Sequence, residues 1–506
     1  MNASTITVHW HDDNQPIYSA TFQPGVEGSR LVTGGGDNNI RIWSINHKHI
    51  ETSQSNGQVQ PNTNVEYLST LRKHTQAVNI VRFNKAGTLL ASAGDDGTVM
   101  IWQMSNQIIR DFESQGDNEE DDDVKESWRV ILQLRSSMSE INDICWSPND
   151  EYIVTGSMDN TLRIYQLDFQ DISNHRLNGK LVYTFKNHSH YIQGVTWDPQ
   201  NDFIASQSSD RSVVIYKIIH APDGTIKDVK YSNKLLKYNN HFMYYPETLQ
   251  SFFRRLNFSP DGSLLITPCG IEEVSNTSTA ITSSNSIKNS VYIYSRKSLG
   301  NSPIFKLSGL NKPATAISFN PKLYKLHPTE LSSPKLSMPY KMVFAVATQD
   351  SVVIYDTINF KPLGYICNMH YSYITDVAWD PTGETIIVSS TDGFCSIVSF
   401  DKGAFGDPYV AQPEPVKGEN EVSDEAKEEE KNKVTIQDTN IDVGEVVDID
   451  MKEEKEITPD TESNKENSIE EAPSTVKTID QFFVKVAADD VKKDKSKRRI
   501  VPTLIT

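Results

Sequence analysis

The sequence predicts an all-β protein, a seven-bladed β-propeller followed by a disordered acidic C-terminal tail. Three observations lead to this prediction. Short apolar runs of strand type recur along the first 400 residues, and tight Asp-containing turns separate many of them. In several repeats the turn aspartate stands six residues before an aromatic residue. Repeats with this spacing each form one blade of a closed ring.

Residues 71–104 contain one complete blade. Val78–Phe83 has the pattern of a strand, and residues 95–97 (Asp-Asp-Gly) predict the hairpin turn before a later strand that ends near Trp102. A buried indole N–H requires an acceptor, which a serine hydroxyl can supply. We therefore expect one buried hydrogen-bonded chain, the signature of a WD40 repeat. Its members are His74, Ser92, Asp96 and Trp102.

A serine, a histidine and an aspartate could also form a catalytic triad. Parts of the set recur at matching offsets in other repeats, whereas an enzyme needs one nucleophile. We therefore interpret the set as internal bracing. The recurring members are Asp37, Asp159, His188, Ser206, Asp210, His370 and Asp392.

The order of the blades accounts for the first 402 residues. A strand in residues 5–10 is expected to complete the last blade and so close the ring. Blade five lacks the turn aspartate, and residues 221–250 before it are expected to form a long ordered loop. We predict a propeller in residues 1–402, a disordered acidic linker in 403–475, and interaction motifs in 476–506.

Composition limits the classes of function. The net charge is −18, of which residues 401–506, with 27 acidic and 16 basic residues, contribute −11. This net charge argues against general attraction to nucleic acid, and we expect no direct sequence-specific contact with it. No signal segment or apolar membrane span is evident, so we expect a soluble intracellular protein without a membrane contact. The four cysteines stand apart, which predicts reduced thiols and neither a metal nor another cofactor.

Several segments resemble one known family, the middle WD40 subunit of chromatin assembly factor 1 and its relatives, the HIRA-like histone-regulation co-repressors. The resemblance lies in residues 74–83 (HTQAVNIVRF), 191–199 (YIQGVTWDP), 251–268, 338–357 and 390–400. It implies a nuclear, non-catalytic histone chaperone subunit that scaffolds deposition of histones H3 and H4 on replicated DNA. The implied partners are the large and small subunits of that factor and the histones. The short tail after the propeller favours this reading over the alternative, a HIRA-like co-repressor acting outside replication.

Two segments inside the propeller are candidate partner sites. An acidic inter-blade run could contact basic histones, or it could be a solvated loop. Two aromatic residues beside two arginines could form an exposed anchor patch, or a core strand with an arginine pair at its edge. The acidic residues are Asp117, Glu119, Glu120, Asp121, Asp122 and Asp123, and the patch residues are Phe252, Phe253, Arg254 and Arg255.

Two motifs in the tail complete the candidates. One resembles the family's docking motif for the anti-silencing histone chaperone and suits strand addition, although residues 492–499 also read as a nuclear-import signal. The other resembles a sliding-clamp peptide, but Val476 stands where such motifs have glutamine, so it could equally be an apolar island. The docking residues are Arg498, Arg499, Ile500, Pro502 and Leu504, and the clamp residues are Ile479, Phe482 and Phe483.

Overall fold

The computed structural model describes residues 2–6, 8–25, 29–46, 64–108, 124–135, 139–169, 176–274, 286–300, 302–328, 334–409 and 503–505. In this part of the chain, seven antiparallel sheets of four or five strands form the blades of a propeller. The predicted seven-bladed fold is thus confirmed. Most of the predicted disordered linker lies outside the described residues.

Each blade is a run of neighbouring strands. Blade one contains β2 (Ile17–Phe22), β3 (Ser29–Gly35), β4 (Ile40–Asn46) and β5 (Asn64–Leu71), and blade two contains β6 (Val78–Phe83), β7 (Leu89–Gly94), β8 (Thr98–Ser105) and β9 (Ser127–Arg135). Blade three contains β10 (Ile141–Trp146), β11 (Tyr152–Ser157), β12 (Leu162–Asp168) and β13 (Asn178–Phe185). Blade four contains β14 (Ile192–Trp197), β15 (Phe203–Ser208), β16 (Ser212–His220) and β17 (Ile226–Leu235). A two-stranded ribbon follows, β18 (Lys237–Tyr238) and β19 (His241–Phe242).

The remaining blades follow the same plan. Blade five contains β20 (Asn257–Phe258), β21 (Leu264–Val274), β22 (Ser286–Ser295) and β23 (Phe305–Leu310). Blade six contains β24 (Ala314–Tyr324), β25 (Lys341–Thr348), β26 (Ser351–Asp356) and β27 (Pro362–Cys367), and β31 (Thr503–Ile505) pairs at the edge of this blade. Blade seven contains β28 (Ile374–Trp379), β29 (Thr385–Ser390), β30 (Cys395–Ser399) and the N-terminal β1 (Asn2–Ile6).

Ring closure works as predicted, although the closing strand lies earlier in the chain. β1 pairs antiparallel with β30, with Asn2 opposite Ser399 and Ile6 opposite Cys395. The closing strand is therefore residues 2–6 and not residues 5–10. Because both ends of the propeller share blade seven, the sheet has no gap between its first and last blades.

The hydrophobic core lies between neighbouring blades. Between blades one and two, for example, Val32 and Ile42 from one sheet pack with Val81 and Leu90 from the next. Each sheet thus packs against the blade on either side of it, which explains why the inner strands are apolar on both faces. Packing continues past residue 402, since Phe405 is buried beside Trp379 and the backbone N–H of Tyr409 donates to the carbonyl of Leu323.

The region after blade four differs from the sequence prediction. Residues 221–250 were expected to be a loop, but Ile226–Leu235 forms β17, the outer strand of blade four. Only Val229 and Leu235 of this strand are buried, because an outermost strand packs on only one neighbour. A polar, aromatic stretch of this kind is easily taken for a loop when only the apolar pattern is read.

Candidate functional site

The predicted hydrogen-bonded chain is present in blade two. Trp102 Nε1 donates to Ser92 Oγ at 2.8 Å, Ser92 Oγ lies 2.7 Å from His74 Nε2, and His74 Nδ1 lies 2.8 Å from Asp96 Oδ2. A carboxylate only accepts, so the ring proton sits on Nδ1 and the serine hydroxyl donates to Nε2. Each donor in this chain has one acceptor.

The geometry favours bracing over nucleophilic catalysis. Ser92 is fully buried, and its oxygen already accepts the indole N–H. Burial would raise the pKa of Asp96, but the hydrogen bond from His74 and the bonds from Thr98 outweigh it and hold the pKa at about 2. Asp96 therefore stays ionised and fixes the imidazole, while no substrate atom can reach the serine.

Blades one and four repeat this arrangement, whereas blade seven keeps only its histidine–aspartate pair, since no hydrogen-bond partner of His370 Nε2 is found among the described residues. His188 contacts Asp210 at 3.1 Å and Ser206 at 2.9 Å, and His370 contacts Asp392 at 3.1 Å. In blade one, Asp37 pairs with His11 at 2.7 Å, and Thr33 takes the serine position between His11 and Trp43. Burial lowers the pKa of His11 despite its bond to Asp37, so this imidazole is neutral.

His11 was not among the residues singled out from the sequence. In blades two, four and seven the histidine precedes its aspartate by 22 residues, whereas His11 precedes Asp37 by 26. The extra residues lie partly before β2 and partly in the turn between β2 and β3, so a spacing pattern that allowed both segments to lengthen would have identified it. In blade three Asp159 instead pairs with Arg163, so a charged pair braces that turn.

Replacing Asp96 with alanine is expected to lower the free energy of unfolding by about 2–3 kcal/mol, because it leaves a buried histidine donor unpaired. Asp223→Ala is a matched control. Asp223 makes the same local bonds, to the N–H and hydroxyl of Thr225, that Asp96 makes to Thr98, but it contacts no histidine. Urea denaturation of both variants measures the difference.

The pH dependence gives this comparison a second readout. Asp96 has a lower pKa in the folded protein than its ordinary value of 3.8, so its contribution is present above about pH 4 and is lost as the pH falls toward 2. The stability gap between wild type and Asp96→Ala should therefore narrow at low pH. Equal losses in the two aspartate variants at pH 7 would contradict the bracing role.

The predicted exposed patch at residues 252–255 is wrong. Arg254 and Arg255 are 0% and 3% exposed, and Phe253 is buried as well. The segment runs along the ring centre: the N–H of Arg254 donates to Gln193 O at 2.9 Å, and that of Arg255 donates to Thr315 O at 2.9 Å. It therefore replaces part of an inner strand between blades four and six.

Arg255 is buried because it satisfies backbone groups of three other blades. Its guanidinium donates to the carbonyls of blades one, two and seven, and it stacks 4.1 Å from the ring of Phe253. Arg254 donates to Pro246 O at 2.7 Å. The three carbonyls that Arg255 contacts are those of Tyr18 at 3.0 Å, Asn79 at 2.9 Å and Thr375 at 2.8 Å.

Charges of both signs surround Arg255. Asp376 lies 3.3 Å from Arg255 and 3.0 Å from Arg82. Burial raises the pKa of Asp143 to about 6 against the opposing pull of Arg255 and Arg82, and its Oδ2 accepts the Val195 N–H at 2.8 Å. Arg82, Asp143 and Arg255 line a cavity of about 550 Å³, where the two arginines contact Asp376 and Asp143 accepts from the backbone. The cavity thus contains a structural network.

The other sequence candidates lie largely outside the described residues. These are the acidic run of residues 117–123, the clamp residues Ile479, Phe482 and Phe483, and the docking residues Arg498, Arg499, Ile500 and Pro502. Leu504 is the exception, since the backbone of residues 503–505 is described as β31. These candidates remain predictions.

The described ranges contain neither a metal-binding cluster nor a membrane-spanning helix. No group of three or more histidine, cysteine, aspartate or glutamate residues there could hold a metal ion. No helix in that part of the chain is long and apolar enough to cross a membrane. Burial raises the pKa of Cys145 and Cys269 to about 11, so both thiols stay protonated at neutral pH.

Comparison with known proteins places this architecture among chromatin proteins. The family profile of the CAF1B/HIR1 beta-propeller domain matches residues 1–405. The CAF1B subunit of chromatin assembly factor 1 from Saccharomyces cerevisiae is 37% identical over 447 residues, which cover 82% of this chain and 90% of the yeast protein. The Mus musculus protein of the same name is 35% identical, covering 82% and 69%. Protein HIR1 of Candida albicans is 29% identical, covering 78% and 42%.

Proposed function

The chain belongs to the CAF1B/HIR1 beta-propeller family, and we propose that it is the propeller subunit of a chromatin assembly factor that scaffolds replication-coupled deposition of histones H3 and H4. The observation that carries the proposal is the similarity to the yeast CAF1B subunit along most of both chains. The alternative, a HIRA-like co-repressor, has weaker support because HIR1 is less similar and the match covers less than half of it.

The mechanism is presentation by a rigid ring, without catalysis. The buried His, Asp and Ser groups are bonded to one another, and the arginines at the ring centre are bonded to backbone carbonyls. The groups that could do chemistry thus hold the blades in place, while partners contact the surface and the tail. Exposed carboxylates suit a histone carrier, because salt-screened charge gives an affinity that DNA can outcompete.

The proposed partners follow the family resemblance. They are the large and small subunits of chromatin assembly factor 1, histones H3 and H4, the anti-silencing histone chaperone and, through residues 476–483, the sliding clamp. The acidic run of residues 117–123 would face histones, and residues 498–504 would dock the chaperone by strand addition. A protein with these activities would act in the nucleus.

Affinity purification of the tagged full chain tests this proposal. We expect it to recover the large and small subunits and H3–H4, since a scaffold acts through stable contacts. A variant lacking residues 497–506 should lose the anti-silencing chaperone but keep the large subunit, which makes that subunit the internal control. Recovery of other HIR-complex members in place of the two subunits would contradict the proposal.

A further inference from the structure

Blade six carries an additional strand. β31 (Thr503–Ile505) pairs antiparallel with β27, and Thr503, Leu504 and Ile505 lie opposite Cys367, Ile366 and Tyr365. The other six blade sheets, within the described ranges, have four strands each. Residues 503–505 belong to the same compact unit as the propeller. This described C-terminal strand is thus part of blade six.

The outer edge of β27 suits this role. β27 is the outermost strand of its blade, and an edge strand presents unpaired N–H and C=O groups to any extended segment. Ile366 is fully buried in the blade core, while Tyr365 and Cys367 on either side of it are half-buried. The strand is therefore held firmly by its own sheet and can accept a partner without rearranging.

We propose that the outer edge of β27 is a docking site for this chain's own C-terminal segment, residues 503–505. The pairing by itself makes the edge a strand-accepting site. Its consequence rests on the proposed function: the backbone groups that pair with β27 belong to the segment assigned to the anti-silencing chaperone. Strand addition of the chaperone to these same backbone groups requires that β31 first leave β27.

The equilibrium between β31 paired with β27 and β31 released from it depends on the number of paired residues and on the length of the connection. Three paired residues are fewer than the five or six of a common strand, so the pairing is short enough to open. Ninety-three residues separate Tyr409 from Thr503, and tethering keeps the segment near β27 at an effective concentration that falls as the connection lengthens. The chaperone thus competes with the edge of β27, which binds the segment weakly but is always tethered close to it.

A disulfide trap in the full chain tests the pairing. Thr503 lies opposite the native Cys367, and directly opposite residues of an antiparallel pair have a Cα separation that a disulfide can span. Thr503→Cys should cross-link to Cys367 under mild oxidation, detected by peptide mapping without reductant. The reaction is run at mildly alkaline pH because burial raises the pKa of the Cys367 thiol.

Two variants control the trap. Leu504→Cys lies opposite Ile366 in the register and not opposite Cys367, so it should not cross-link. Thr503→Cys combined with Cys367→Ser should not cross-link either. Cross-linking of Thr503→Cys no greater than that of Leu504→Cys would overturn the inference.

Chaperone binding separates the inference from the proposed function. Oxidised Thr503→Cys protein should bind the purified anti-silencing chaperone at least tenfold more weakly than the same protein after reduction, while oxidant leaves wild-type binding unchanged. A cross-link that forms in high yield without weakening binding would support the β27 docking site and overturn chaperone docking through this segment. Intact chaperone binding without a cross-link would overturn the β27 docking site and leave chaperone docking through this segment supported.

Discussion

Replacing Arg255 with alanine is expected to lower the free energy of unfolding by about 3–5 kcal/mol, because breaking a buried ion pair leaves its partners uncompensated. The substitution removes the donor from three buried carbonyls on blades one, two and seven, and it removes one of the two arginines facing Asp376. One side chain thus connects several blades at the ring centre. Chemical denaturation at neutral pH measures the loss.

Arg135→Ala is the matched control for this prediction. Arg135 is an exposed arginine on β9, and surface substitutions of this kind usually change stability by less than about 0.5 kcal/mol. Arg255→Lys should lie between wild type and alanine, because it keeps a charge near Asp376 but lacks the fork that reaches several carbonyls. A fully stable Arg255→Ala protein would mean that the ring centre does not depend on this residue.

Gly194→Ala is expected to lower the free energy of unfolding by about 3 kcal/mol, the upper end for overpacking a core. A Cβ at residue 194 would lie 2.0 Å from the carbonyl oxygen of Arg254, and this obstacle is backbone, which cannot move aside as a side chain would. Relief requires shifting residues 252–256 away from β14. Thermal unfolding of the variant gives the loss directly.

Gly36→Ala provides the comparison for Gly194→Ala. At residue 36 a Cβ would meet nothing closer than 3.3 Å, the Cδ atom of Pro16, so a small adjustment should suffice. If the two alanine variants unfold alike, the close approach of Gly194 to Arg254 is not a constraint on the fold.

The local features of the ring could be predicted from the sequence. His74, Ser92, Asp96 and Trp102 lie within one blade, so their spacing along the chain fixes their approach once the hairpins form. The turn aspartates are similarly local. Where a turn lengthens, as between His11 and Asp37, the fixed offset fails although the bonds are the same.

The role of the arginine pair could not be predicted in this way. The carbonyls that Arg255 contacts lie 237, 176 and 120 residues away in the chain, and they meet only because the ring closes. In the local sequence, two arginines beside two phenylalanines indicate a binding surface, because such residues dominate binding hot spots and arginine is rarely buried without partners. The partners of Arg255 here are three backbone carbonyls, which leave no trace in the sequence pattern, and the carboxylate of Asp376, which is distant in the chain.

The binding site of the C-terminal segment also could not be predicted from its local sequence. Its sequence suggested strand addition, and β31 does add to a sheet edge. The accepting edge, however, belongs to blade six, and nothing in residues 498–504 specifies which edge is available. That depends on which outer strand the ring leaves uncovered.

The central claim is that the polar groups inside the ring brace the fold while partners use the surface. Hydrogen exchange of the full chain, alone and bound to the large subunit, tests it most directly. The amides of Arg254, Arg255 and Ile317, which bond across the ring centre, should be among the slowest to exchange in both states. Fast exchange of these amides in the free chain, or protection that appears only with the partner, would contradict the account.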